Sequence, residues 1–170
     1  MKKLFLVAIM AVFASTVSAQ LVTSNRSVRN KEIGNMTIGI HGDYMIDSPK
    51  NFGIGANIGY EVINNVRGVA EFNYFFKKDY VSFWNVEVNA EYLFKLADGA
   101  FTLYPLAGID LLGQSVDLGG STQSDSKLGL NLGAGVEYAI SSNLSLKAEY
   151  NYKTQGDGWS LLKFGVVIPF

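Results

Sequence analysis

The sequence predicts an all-β chain, an eight-stranded antiparallel up-and-down transmembrane β-barrel, and three observations carry that reading. Apolar and polar residues alternate in run after run between Phe52 and Phe170, which is the period of a strand. The apolar members of those runs carry no charge. Although 48% of residues are hydrophobic, no apolar stretch beyond the amino terminus reaches the roughly 18 residues that a spanning helix needs. One face of each strand therefore suits hydrocarbon. An open sheet in lipid would leave edge amides and carbonyls without partners, so such strands must close into a ring.

The elements follow in order. Lys2 and Lys3, an apolar stretch from Leu4 to about Ala14, and the small residues Ser18 and Ala19 read as a cleavable secretory signal over residues 1–19. Residues 20–34 lack sustained alternation, carry Arg26, Arg29, Lys31 and Glu32, and read as a solvated periplasmic lead to a barrel at 35–170. Strand-like segments lie at about 35–46, 52–63, 66–77, 81–96, 101–115, 127–140, 144–154 and 159–170. Each is long enough for a tilted bilayer crossing of roughly 9 to 11 residues, and eight is the smallest usual count for an outer-membrane barrel.

The faces separate cleanly. In the second segment Phe52, Ile54, Ala56, Ile58, Tyr60 and Val62 oppose Gly53, Gly55, Asn57, Gly59 and Glu61. In the third, Ala70, Phe72, Tyr74 and Phe76 oppose Arg67, Glu71, Asn73 and Lys77. The fourth, sixth and seventh repeat the pattern, for example Val86, Val88 and Ala90 against Glu87, Asn89 and Glu91. Aromatic residues such as Tyr60, Trp84, Tyr92 and Tyr138 fall towards strand ends, where interfacial girdles form. The groups NNV, ADGA and SSN predict tight turns, and SPKN, KKDY, LGGSTQSDSK and TQGDG predict loops. Short turns face the periplasm in such barrels, so both ends of the barrel chain belong there and four modest loops outside. Pro105 strains the fifth segment, because proline removes a ladder donor; a late start or a bulge is expected.

Composition narrows the chemistry. There is no cysteine, hence no disulfide, thiol nucleophile or thiolate metal site. A net charge of -1 gives no basic surface for nucleic acid. The inward residues His41, Asp43, Glu61, Arg67, Glu71, Glu87, Glu91, Lys95, Asp110, Glu137, Lys147, Glu149, Lys153 and Lys163, with Lys77, are near charge balance and predict a mutually paired polar lumen. An interior of this strand number is only wide enough for side chains to fill it. His41, the single histidine, has no accompanying imidazole or thiolate for a metal site and no His-x-Ser pair. Gly53, Gly55 and Gly59 miss the phosphate-loop spacing and read as relief of crowding in a narrow lumen. The LGGSTQSDSK stretch lacks calcium-loop order and reads as a surface tip.

With its strand pattern, its signal and the ending LLKFGVVIPF, the chain resembles the small eight-stranded outer-membrane proteins that include the OmpA transmembrane domain and OmpX. The resemblance spans about residues 35–170 and stops without implying a peptidoglycan-binding domain. It implies that Phe164, Val166, Ile168 and Phe170 form a final-strand signal for the barrel assembly machinery. It also implies contact with outer-membrane lipid and lipopolysaccharide, and duties in envelope integrity, adhesion or host contact. The expectation is a monomer, exported to the cell outer membrane of a Gram-negative envelope, not an enzyme and without cofactor, holding a structural or surface-interaction role with a surface ligand or host protein as partner. The alternatives are a lipid-modifying outer-membrane enzyme, a narrow gated pore, and a soluble lipocalin-like binder whose faces would be inverted.

Overall fold

The computed structural model describes residues 36–47, 50–78, 81–117 and 122–170. The expected signal at 1–19 and lead at 20–34 lie outside the described residues. The strands are β1 (Met36–Met45), β2 (Asn51–Ile63), β3 (Val66–Lys78), β4 (Val81–Tyr92), β5 (Phe94–Leu96), β6 (Phe101–Asp117), β7 (Thr122–Ser141), β8 (Leu144–Lys153) and β9 (Trp159–Pro169). β4 and β5 are two parts of one stave, both paired to β6, so the sheet is an eight-stave ring. All neighbours run antiparallel, and β1 pairs with both β2 and β9 to close it. At that seam the Met36 amide donates to the Phe170 carbonyl (3.1 Å) and the Phe170 amide donates back to the Met36 carbonyl (2.9 Å).

Side chains take the faces that the alternation assigns. Phe52, Ile54, Ile58, Phe72, Val88, Ile109, Leu130, Leu146 and Phe164 are exposed on the outer wall, while Asn73, Asn85, Glu87, Asp110, Asn131 and Lys153 are wholly buried within. This is the reverse of a lipocalin, whose apolar set points inward, and the soluble-binder alternative falls on that ground.

Pro105 neither delays nor bulges its strand. β6 begins at Phe101 and pairs Pro105 with Ala134 on one side. On the other side Glu91 faces Leu106 and Phe94 faces Leu103, with two residues between on each strand, so the register is unbroken. The neighbouring stave is interrupted instead, at Leu93, beside the position where proline offers no amide. On its β3 side the Leu93 amide donates to the Asn65 carbonyl at 2.7 Å, continuing the ladder past Val66↔Tyr92. Asn65 has φ 67°, a left-handed value that asparagine tolerates well, and closes the β2–β3 turn.

The third expected loop is shorter than its composition suggests. β6 and β7 continue as a ladder through Leu112↔Lys127, Gln114↔Asp125 and Asp117↔Thr122, leaving 118–121 as the connection. Asp125, Ser126, Lys127 and Leu128 are all exposed, so this part of β7 meets water on both faces and needs no apolar alternation to persist.

Two apolar clusters also sit inside the ring, where a polar face was expected. Met45, Phe75, Trp159 and Leu161, with Phe83 and Leu112 against them, fill the loop end. Leu93, Tyr104 and Leu106 fill part of the end that carries Met36 and Phe170. Period two assigns a residue to a side; it does not require that side to be polar along its whole length.

Candidate functional site

The lumen between these clusters is the site, and its geometry builds up from single carboxylates. Glu87 on β4 is its hub. Its carboxylate accepts from the amides of Asn85 (2.8 Å), Asn73 (2.9 Å), Asn131 (2.8 Å) and Asn89 (3.2 Å), and pairs with Lys153 and Lys163. Asn85 and Asn89 flank Glu87 on β4, because residues two apart on a strand share a face, and Asn73 lies opposite Asn85 on β3. The same spacing brings Asn73 to Glu71 (2.9 Å) and Asn151 to Glu149 (2.8 Å). These asparagines are functional members of the network that ionisable residues alone do not reveal, and the Asn-x-Glu or Glu-x-Asn spacing is the sequence signal for them.

Around the hub the ions interlock. Lys163 on β9 pairs with Glu71, lies 3.2 Å from Glu87 and 3.5 Å from Glu149. Asp110 accepts from Lys153 (2.7 Å), Asn85 (2.9 Å) and Gln155 (2.9 Å). Lys147 lies 2.8 Å from Glu149 and 3.6 Å from Glu91. Arg67 forks between Glu91 (Nε to Oε2, 2.7 Å) and Glu137 (2.5 Å), the planar arrangement that suits a guanidinium. The Tyr104 hydroxyl donates to Glu149 at 2.9 Å, and its ring lies under both Arg67 (5.6 Å) and Lys147 (5.5 Å), within cation–π range.

His41 is held between two asparagine side chains. Asn73 spends its amide nitrogen on Glu71 and Glu87, so its oxygen must face the ring and accept from Nε2 at 2.7 Å. The other ring nitrogen, Nδ1, meets the Asn57 amide at 3.3 Å. Asp43 and Glu71 each stand 3.5 Å from Nε2. Among the described residues no group of His, Asp and Glu is placed to hold a metal ion. The glycines opposite are spacers: a Cβ on Gly55 would overlap Asn73 and His41, and one on Gly59 would sit 2.5 Å from Thr37 Oγ1.

The charge balance differs from the expected one. Glu61 and Lys95 pair at 2.8 Å on the rim, with the Lys95 side chain 38% exposed, and Lys77 is exposed at the loop end. The buried set is then seven acids (Asp43, Glu71, Glu87, Glu91, Asp110, Glu137, Glu149) against four bases (Arg67, Lys147, Lys153, Lys163). Amide nitrogens and the Tyr104 hydroxyl supply donors to Glu71, Glu87, Asp110 and Glu149, whereas the two Asp43 oxygens accept no hydrogen bond among the described residues.

On the outer wall Phe164, Ile168 and Phe170 are exposed and Val166 partly so. The outer membrane protein β-barrel domain family model matches residues 6–167. Among solved structures, the chain is similar to the N-terminal β-barrel domain of Pseudomonas aeruginosa OprF, at 21% identity and TM-score 0.69, over 81% of this chain and 99% of that one. It is similar to Neisserial surface protein A at 25% identity and TM-score 0.68, over 82% and 98%. It is similar to Ail, the attachment invasion locus protein of Yersinia pestis, at 21% identity and TM-score 0.60, over 81% and 97%. No curated protein sequence matches it.

Proposed function

Because the chain belongs to the outer membrane protein β-barrel family and so resides in the outer membrane, we propose that it is a plugged barrel with a structural or surface-interaction duty rather than a conduit. The observation that carries this reading is the buried hub: Glu87 and Lys153 are wholly inaccessible at mid-lumen, between apolar clusters at either end. A hydrated ion would have to break several charge-assisted hydrogen bonds at once. Planar-bilayer recording on purified protein tests it: many insertions without conductance are expected, and a reproducible open level would overturn the reading.

The barrel is monomeric in this reading, since a closed ring leaves few strand edges to share. Its outer wall meets lipid and lipopolysaccharide. The β1–β2, β3–β4, β6–β7 and β8–β9 connections face outside, where a surface ligand or host protein would be met. Because the chain has no cysteine, a single introduced thiol reports orientation cleanly. Asp157→Cys should react with an impermeant maleimide on intact cells, and Asn143→Cys only after the outer membrane is opened. Phe164, Val166, Ile168 and Phe170 serve as the strand read by the assembly machinery. No cofactor or catalytic role is assigned, as both nitrogens of His41 are engaged by amides.

A further inference from the structure

Of the seven buried acids, Asp43 alone has neither an ammonium or guanidinium partner nor a hydrogen-bond donor among the described residues. Asn85, Asn131, Asn151 and Gln155 also keep an unpaired oxygen, but those are neutral amides. An ionised carboxylate buried without a counter-charge is far less tolerable than a buried amide oxygen. Lys163 is paired with Asp43 in the β1–β9 register, yet its Nζ is turned to Glu71, Glu87 and Glu149. The group left beside Asp43 is its neighbour two residues back on the same face of β1. His41 Nε2 stands 3.5 Å from Asp43 Oδ1 and 3.5 Å from Glu71 Oε1.

The two asparagines that hold the ring differ in freedom. Asn73 is locked, because its nitrogen donates to Glu71 and Glu87, so Nε2 carries a hydrogen whatever the charge on the ring. At Nδ1 the Asn57 amide nitrogen stands 3.3 Å away, with the ring nitrogen accepting. A half-turn of that amide would present its oxygen to the same nitrogen. Space for either amide atom comes from Gly39, opposite Asn57 on β1, where a Cβ would lie 2.7 Å from Oδ1 and 3.1 Å from Nδ2. We propose that His41, Asp43 and Asn57 form a proton switch beside the β1–β9 seam. A proton from hydronium adds to His41 Nδ1, the Asn57 amide turns to accept it, and the imidazolium becomes the counter-charge of Asp43; no other covalent bond changes. The charged groups around the ring are Asp43 on β1, Glu71 on β3 and Lys163 on β9. Behind Lys163 stand Glu87 of β4 and Glu149 of β8, the latter also paired with Lys147, while β2 offers only the uncharged Gly55 and Asn57 there. Imidazole is the side chain whose charge changes in the physiological pH range. The switch holds whether or not the barrel conducts and whichever end faces outside.

The test uses the fact that His41 is the single histidine of the chain. Nitrogen NMR of histidine-labelled, untagged full chain in detergent micelles then shows two ring signals that need no assignment. The titration runs from about pH 8 to about pH 5. At the alkaline end one protonated and one bare ring nitrogen are expected. Both should move to imidazolium values in one reversible step, with the Asn57 side-chain amide signals shifting at the same midpoint and folded gel mobility kept throughout. At the pH where the native ring is half converted, Asp43→Asn should reduce the ratio of imidazolium to imidazole by about tenfold or more, since an opposite charge at this range is worth about a pH unit or more. Asp125→Asn, at an exposed position on β7, is the control and should leave the ratio unchanged. The native titration decides by itself if Asp43→Asn does not fold. A ring that stays neutral to the acid end or cationic to the alkaline end overturns the switch. So does an Asn57 amide that stays still through the step, or a folded Asp43→Asn barrel with the native ratio.

Discussion

Replacing Lys163 with methionine removes one ammonium and leaves the stem, so it isolates the charge. Lys163 is 1% exposed and its Nζ serves Glu71, Glu87 and Glu149 together. The lumen would then hold its seven buried acids with three buried bases in place of four. Removing one partner of a buried pair costs about 3 to 5 kcal/mol, because the carboxylates stay behind without compensation. With a urea slope of about 1 to 3 kcal/mol/M, the unfolding midpoint should fall by about 1 to 5 M. The assay is urea titration of the barrel in phospholipid vesicles, read by tryptophan fluorescence and by the gel mobility of folded and unfolded forms. Glu71→Gln in the same background should return more than about 1 kcal/mol, since the two side chains share one contact. A loss under about 1 kcal/mol for Lys163→Met, or strict additivity in the double variant, would refute the view that the ammonium neutralises this cluster.

The other predictions concern the wall, the spacers and the seam. Val88→Lys puts a charge on an outer-wall position that is 52% exposed and mid-strand; in vesicles it should cost about 2 to 4 kcal/mol, and a neutral result would mean that this surface does not meet acyl chains. Gly165→Ala would press a methyl to within 2.6 Å of His41 Cβ and into the Ile40 carbonyl, so about 1 to 3 kcal/mol of destabilisation is expected. Gly42→Ala, with nothing within 4 Å, should stay within about 0.5 kcal/mol as the matched control. Deleting Phe170 removes both backbone bonds to Met36. Pulse-chase of heat-modifiable protein should show slower appearance of the folded band in cells, and unchanged kinetics would set aside its role in assembly.

Strand positions were legible because period two is local: 52–63 was expected and Asn51–Ile63 is found, 66–77 expected and Val66–Lys78 found. Which residues share the inner face follows from the same counting. Which carboxylate meets which cation does not, since Arg67 on β3 reaches Glu137 on β7 across 70 positions of sequence and across the lumen. The near balance of charge failed for a related reason. Lys77 and Lys95 obey the inward phase, but they sit at strand ends, where a long side chain escapes to water. Met45, Phe75 and Trp159 likewise obey the phase while departing from the expected polarity, and only the closed ring shows that they sit together at the loop end.

The bond between Met36 and Phe170 joins the first and last segments of the ring, so the sheet cannot be completed until β9 has been made and delivered. Every earlier stage has two raw strand edges and a half-solvated ionic cluster, and neither tolerates hydrocarbon. Closure of the ring is therefore a late event of high contact order, because the pairing that seals it joins the two ends of the barrel sequence.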